Sequence, residues 1–379
     1  MTVDFGAEGL LDGLDDAREC EDRRGLLQDL LDGGVALDEL RSAVAEDRLV
    51  LLGVERALGQ QPARYSREEV AERAGLELDF LRRLWRAMGM PEAAPDQRVL
   101  SEGDLEAARL VRQVLAAGMP ETGLLELSRV MGQSMANVSA AIGGVFAQSF
   151  VRPGDSERDL AKRYTEAAEA LQPSTLPLLA YMLGLHQRQQ VRQNVIGRAQ
   201  IAEGRLDGGR EIAVCFADLV GFTRLGETVP PSELGAVAGR LAELAAEVAE
   251  GPVRIVKMIG DAAMLVSYEL EPLVGAALSL VDAADEQGED FPQLRAGIAK
   301  GQALGRGGDW YGRPVNLASR VGDIARPGSA LATEEVKDAV GEERYRWSFA
   351  GRRKLKGLRE SVPLYRVRRR PPDPPPEQD

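Results

Sequence analysis

Histidine, cysteine and lysine are close to absent from this chain. A single histidine, His186, stands among 379 residues and lies apart from every polar motif. That excludes Ser-His triads, histidine general-base chemistry and His-rich metal sites. The two cysteines, Cys20 and Cys215, are far apart and form no CxxC, which excludes a disulfide framework and a zinc cluster. A metal here must be held by oxygen, so the expected ions are Mg²⁺ or Mn²⁺. No apolar run reaches the roughly 18 residues a membrane span needs, the N-terminus is acidic, and no signal-peptide pattern follows Met1. A cytoplasmic protein with no membrane partner is expected. The net charge of −13 weighs against nucleic acid as the main partner, because affinity for its backbone comes from clustered cations. Lysine occurs only at positions 162, 257, 300, 337, 354 and 356. Lys257, inside the apolar run Ile255-Val-Lys-Met-Ile259, therefore stands out.

What is present divides the chain in two. Residues 1–180 carry Leu, Ala and Val at helical spacing, broken by Gly33-Gly34, Pro62, Pro91, Pro95, Pro120, Pro153-Gly154 and Pro173, and read as an all-helical domain. Within it Ser66-Arg-Glu-Glu69 has a capping-box start, Val70–Gly75 supplies a tight turn, and Leu81–Gly89 reads as a second helix. This segment, with Arg98–Leu105 after it, looks like a MerR-type helix-turn-helix. Between Arg64 and Arg98 seven arginines are matched by seven Asp or Glu residues, whereas a DNA-reading face needs a cationic excess. Residues 181–206 are polar and uninterrupted at first and suit a linker helix, loosened at Gly197, Gly204, Gly208 and Gly209.

Residues 207–369 alternate short β-type runs with helices: a buried strand at 211–217, a helix at 231–249, a hairpin of 253–259 and 262–268 turning at Gly260-Asp261, a helix at 273–286 and a strand at 294–300. That mixture predicts an α+β, ferredoxin-like fold. With an even offset, Lys257 is expected on the strand face of Ile255 and Ile259. The Pro-rich tail 370–379 is expected to be disordered.

Asp218 and Asp261 each stand where an apolar strand runs out, so two carboxylates from neighbouring strands can converge as a site for hard cations bound to a polyphosphate. The stretch Leu219-Val220-Gly221-Phe222-Thr223 leads from the first strand towards a helix whose first amides can receive phosphate oxygens. Asn316 and Arg320, four apart on a helix, project from one face and can steady charge developing on phosphorus. Singly, each feature also reads as a strand-end cap, a sheet-edge lysine or a surface ion pair.

Taken together, Phe216–Thr223, Val256–Asp261 and Asp309–Arg320 resemble, in order and spacing, the signature segments of the class III nucleotidyl cyclases, and Lys354–Val367 is similar to that family's last hairpin. The resemblance covers about residues 207–369. It implies that Asp218 and Asp261 bind two Mg²⁺ or Mn²⁺ per site, that Lys257 and Asp309 read adenine, and that Asn316 and Arg320 orient ribose and stabilise the transition state. Lys356 matches a lysine that touches the triphosphate. Cyclases for GTP generally carry Glu and Cys in place of Lys257 and Asp309, so ATP is the implied substrate. The family draws its metal aspartates and its other pairs from different subunits; one chain holding all six positions implies a homodimer with two sites.

The arrangement of helical domain, linker and cyclase domain is similar to the mycobacterial class III cyclases whose N-terminal half regulates the catalytic half, some in response to pH. It implies a dimerising, inhibitory first domain, with the linker near His186 and Arg192 shifting between two packings. Histidine is the side chain whose ordinary pKa lies nearest neutrality, so a proton effector acting at His186, a small-molecule effector of the helical domain, and a plain solvated linker histidine are the readings of that half. The competing class is a MerR-like DNA-binding regulator that uses a cyclase-fold domain as a nucleotide sensor.

Overall fold

The structure, a computed structural model, describes residues 3–59, 61–91, 94, 97–201, 209–357 and 360–371, with side chains of 192–201 left out. Pro95, Gly204, Gly208 and the tail from 372 onward lie outside the described residues, as does the side chain of Arg192. The chain forms two compact units, residues 1–197 and 198–379.

The first unit is helical: α1 (Ala17–Asp32), α2 (Leu37–Ala45), α3 (Leu52–Ala57), α4 (Arg67–Ala74), α5 (Leu78–Ala87), α6 (Glu102–Ala116), α7 (Glu121–Phe150) and α8 (Glu157–Ile201). It holds two small cores. One gathers Leu26, Leu27, Leu40, Leu52 and Ala161 where α1–α3 meet the start of α8. Arg23–Glu157 at 2.8 Å and Arg158–Asp29 at 2.8 Å tie α1 to the same stretch of α8. The other gathers Val70, Phe80, Leu81, Leu84, Trp85 and Leu105 between α4, α5 and α6. The capping box forms as the spacing predicts: the Ser66 side chain accepts from the Glu69 amide and Glu69 reaches back to the Ser66 amide. Gly75, at φ +68°, ends α4 in the left-handed conformation that lets α5 turn back. That second helix begins at Leu78, three residues before the expected Leu81.

Pro173 does not break the chain. It and Pro177 lie inside α8, so the segment expected as a separate linker helix from residue 181 is the continuation of one 45-residue helix. A proline removes one backbone bond and crowds the carbonyl four residues back. Here the exposed helix runs on through both, and the Thr175 hydroxyl donates to the Leu171 carbonyl at 2.9 Å.

The second unit is built on a sheet: β1 (Arg210–Leu219), β2 (Arg254–Ile259), β3 (Ala262–Ser267), β4 (Leu294–Arg306), β5 (Asp309–Tyr311), β6 (Ser329–Thr333), β7 (Tyr345–Lys354) and β8 (Ser361–Arg369). Interleaved are α9 (Phe222–Leu225), α10 (Pro231–Val248), α11 (Leu270–Asp285), α12 (Arg313–Asp323) and α13 (Glu334–Val340). The strand order is β2-β3-β1-β4-β6-β8-β7, with β5 on β4. Its first four strands, joined through α10 and α11, have the ferredoxin-like order. Among the described residues only β4–β6 pairs in parallel.

One sheet face packs Cys215, Ala217, Leu265 and Ile298 against Leu241, Leu244, Leu273 and Leu280 of α10 and α11. The other packs Val214, Met264 and Ala299 against Leu317, Ala318 and Val321 of α12. There the backbones nearly touch: a Cβ on Gly297 would lie 2.1 Å from the Gly322 amide nitrogen, so glycine is required.

Candidate active site

Asp218 lies next to the last residue of β1, in register with Ala262 of β3 on one side and Arg295 of β4 on the other. Asp261 sits in the β2–β3 turn behind Gly260, and its carbonyl accepts from the Leu219 amide at 3.0 Å. The two carboxylates therefore stand at adjoining strand ends. Asp218 is pushed above the usual carboxylate range, first by its burial and also by the negative charges of Asp261 and Asp323, against the opposing pull of Arg295. Two carboxylates held so close that one raises the other's proton affinity suit a cation. Among the described residues no group of three or more His, Cys, Asp or Glu assembles around a common point. A hard ion placed here would complete its shell with non-protein oxygens, as a polyphosphate provides.

Arg295 is the residue that motif reading passed over. Its guanidinium meets Asp218 through Nη2 at 2.6 Å and Nε at 3.0 Å, and donates to the Asp323 carbonyl at the end of α12. The available signal was an arginine beside Leu294 at the start of the apolar run Ala296–Ala299.

Leu219 is buried, and the Val220 amide donates to the Gln293 carbonyl at 2.8 Å. Gly221, at φ +79°, turns the backbone into α9, which is a single turn, Phe222–Leu225. Phe222 packs on the α10–α11 core, and Thr223 is exposed.

Lys257 and Asp309 are brought together: the ammonium of β2 pairs with the carboxylate of β5, 52 residues on. The second Asp309 oxygen accepts from the Trp310 amide at 2.8 Å. Lys257 shares its strand face with Ile259, as expected, but not with Ile255. A bulge between Ile255 and Lys257 shifts the register, so Ile255 sits opposite Leu265 while Lys257 sits opposite Met264, on the α12 side. That one-residue slip carries Lys257 to the face where Asp309 lies.

On α12 Asn316 is exposed and Arg320 half-buried, one turn apart. The Arg320 guanidinium lies against Gly357, 3.7 Å from where its Cβ would be, which brings it beside the turn carrying Lys356. Lys356 is exposed. His186 is exposed on α8 and belongs to the other unit.

Comparison with known proteins fits this division. Residues 3–191 match the family described as the adenylate cyclase regulatory domain, and residues 207–368 match the adenylate and guanylate cyclase catalytic domain. A pH-sensitive adenylate cyclase of Mycobacterium tuberculosis is 37% identical over 372 residues, covering 97% of this chain and 92% of that protein. An adenylate cyclase of Streptomyces coelicolor is 30% identical over 296 residues, 78% of this chain and 73% of its own. Among solved structures, an adenylyl cyclase from P. aeruginosa is 21% identical with a TM-score of 0.39, covering 44% of this chain and 98% of that one. No helix among the described residues is long and apolar enough to cross a membrane. With both domain families matched in order and a full-length relative across nearly the whole chain, this protein belongs to the class III adenylate cyclases that join an N-terminal regulatory domain to a C-terminal catalytic domain.

Proposed function

We propose that the chain converts ATP to 3′,5′-cyclic AMP and pyrophosphate at sites formed between two copies, under inhibition by its helical half. The observation that carries the reading is the Lys257–Asp309 pair standing in one chain with the converging carboxylates Asp218 and Asp261. Asp218 and Asp261 would hold two Mg²⁺ or Mn²⁺ ions. Those ions, when bound, lower the pKa of the ribose 3′-hydroxyl and neutralise the triphosphate.

The chain's own groups do the rest. The Lys257 ammonium donates to adenine N1, and Asp309 accepts from the N6 amine; each has the polarity the base edge demands. Asn316 orients the ribose, and Arg320 meets the negative charge that builds on the α-phosphate as the 3′-oxygen bonds to phosphorus and the bond to the β-phosphate breaks. Lys356 and the backbone of Leu219–Thr223 receive the phosphates, joined by Arg295 once Asp218 is otherwise neutralised. The proton of the 3′-hydroxyl leaves to solvent, and no histidine is needed.

All six positions occur in one chain, which supports a homodimer with two equivalent sites. So does the apolar stripe exposed on α7, including Leu127, Met131, Met135 and Val145. In this reading the MerR-like unit of α4 and α5 serves as scaffold for the regulatory half, and the rate responds to pH as the name of the mycobacterial relative states for that protein. A small-molecule effector has a place in the same half, a cleft of about 870 Å³ bordered by Leu26, Arg56, Arg158, Lys162 and Thr165.

The test is cyclic AMP production from ATP with Mg²⁺ or Mn²⁺ by the full chain and by a fragment beginning near residue 200, each beside its Asp261→Ala variant. An active fragment, a slower full chain and dead variants are expected. If no form makes cyclic nucleotide, the reading fails and a DNA-binding nucleotide sensor takes its place.

A further inference from the structure

Charge is unevenly spread in this acidic protein. Residues 344–370 hold eleven Arg or Lys and one acidic residue, Glu360, in a chain of net charge −13. Part of that excess is paired: Arg344 with Glu271 at 2.9 Å and Arg369 with Asp282 at 2.6 Å. Of the rest, Arg346, Arg366 and Arg368 lie on one face of the β7–β8 ribbon. Register places Arg346 directly opposite Arg368, and Ser348 directly opposite Arg366. Side chains directly opposite in an antiparallel pair share a face, and like charges in that position are unfavourable. Arg326, from the loop after α12, joins them, and Arg353 borders the same hollow. Among the described residues none of Arg326, Arg346, Arg353, Arg366 or Arg368 has a carboxylate at ion-pair distance.

The face is concave. α12 lies over β1, β4 and β6 and leaves the ribbon beyond it, where a cavity of about 320 Å³ opens. Its floor is apolar, from Leu331 and Leu364, both buried. Phe349, directly opposite Tyr365 and packed on its ring at 5.5 Å, lies on the other face of the ribbon. The Ser329 hydroxyl donates to the Arg326 carbonyl at 2.7 Å and pins the loop that presents that guanidinium. Neither the carboxylates Asp218 and Asp261 nor the residues Lys257, Asp309, Asn316, Arg320 and Lys356 border it.

We propose that this hollow is a binding site for a phosphate-bearing small molecule, separate from the catalytic centre. Guanidinium groups bind phosphate oxygens through paired, charge-assisted bonds, and three of them around one cavity match a multiply charged phosphoanion. The cavity is of small-ligand size, and the apolar floor makes it a pocket rather than a flat cationic patch. Burial, with Arg368 and Arg326 alongside, draws Arg366 below the usual guanidinium range, as befits a cation held without its counter-ion. The ligand is either free inorganic phosphoanion, such as the pyrophosphate the proposed reaction releases, or the phosphate end of a nucleotide.

The site does not rest on the catalytic reading, and a failed cyclase assay leaves it standing. Equilibrium dialysis of the full chain with pyrophosphate, without divalent metal, compares the wild type with Arg326→Gln/Arg366→Gln and with Lys356→Gln. The double variant is expected to bind at least about tenfold more weakly and to lose the pyrophosphate-dependent rise in melting temperature, with Lys356→Gln changing affinity by less than about twofold. Without ligand the double variant should melt no lower than the wild type at low salt, since it removes a like-charge contact; this separates lost binding from lost folding. Adenosine monophosphate in place of pyrophosphate assigns the source: tighter binding of adenosine monophosphate marks a nucleotide, and tighter binding of pyrophosphate marks a free anion. Undiminished pyrophosphate binding in the double variant, or binding lost only in Lys356→Gln, overturns the proposal.

Discussion

The two halves bury their side chains in opposite ways. In the regulatory half, the 30 residues of α7 bury only Leu124 and Ser128. In the catalytic half, the 16 residues of α11 bury eight. One sheet carries packed clusters on both faces, and the polar groups of the site project from strand ends and from the helix that this packing fixes. The helical half instead rests on two small cores and sends long, largely exposed helices away from them. A catalytic geometry must be held within a fraction of an ångström and so is built on a rigid scaffold. A regulatory half must have two arrangements of similar energy, and sparse burial permits that. Each half can be perturbed so as to test the contrast.

The largest effect is expected at the strand ends. If Asp261 holds a divalent ion as proposed, Asp261→Ala should lower cyclic AMP production by at least about a hundredfold, with the melting temperature little changed because the residue sits in a turn. A variant that keeps more than a tenth of the wild-type rate would remove Asp261 from the site. Next comes base selection. Lys257→Glu with Asp309→Cys reverses the donor and acceptor presented to the base edge, and the ratio of kcat/KM for ATP over GTP should fall by about a hundredfold or more. An unchanged ratio would mean that the paired side chains seen between β2 and β5 are structural only.

Packing supplies the third comparison. Gly297→Ala drives a methyl group into the backbone of α12, with the Ala318 carbonyl oxygen 2.3 Å away, and should cost roughly 3 kcal/mol, the upper range for overpacking. In the regulatory half, the Cβ of Gly25→Ala would meet the Arg158 side chain, with Nη1 2.6 Å away and Cδ 3.1 Å away. That flexible side chain can swing aside, and alanine favours the helix, so the change should stay within about 1 kcal/mol of neutral. Calorimetry of both variants decides the matter. Equal losses would contradict the contrast between a rigid and a loosely buried half.

The same contrast sets what sequence can tell. The strand ends and turn carrying Asp218, Asp261, Lys257 and Asp309 were legible because short polar motifs interrupt apolar runs. The face taken by Lys257 was not, since a bulge at Val256 depends on pairing with β3 rather than on residue type. Arg295 was missed because its partner Asp218 is 77 residues away and only register joins them. Pro173 misled in the other direction: local propensity marks it as a breaker, yet a long helix tolerates it when few neighbours constrain its curvature. In the basic ribbon the arginines were countable, but that Arg353 and Arg366 border one hollow with Arg326 depends on β6, β7 and β8 lying side by side.

The smallest effect is expected at the only histidine. His186 is exposed on α8 and makes no hydrogen bond or ion pair among the described residues. A side chain with no hydrogen-bond or ion-pair partner has none to lose on protonation, and protonation biases a two-state equilibrium only by its different interactions in the two states. In this arrangement His186→Gln should leave the pH–activity profile of the full chain unchanged, while deletion of the regulatory half should alter it. A displaced acid limb in His186→Gln would instead require a second packing of α8 in which the imidazole meets a carboxylate or a cation. The long, sparsely buried helix would then be the moving part, and the catalytic half the part that stays still.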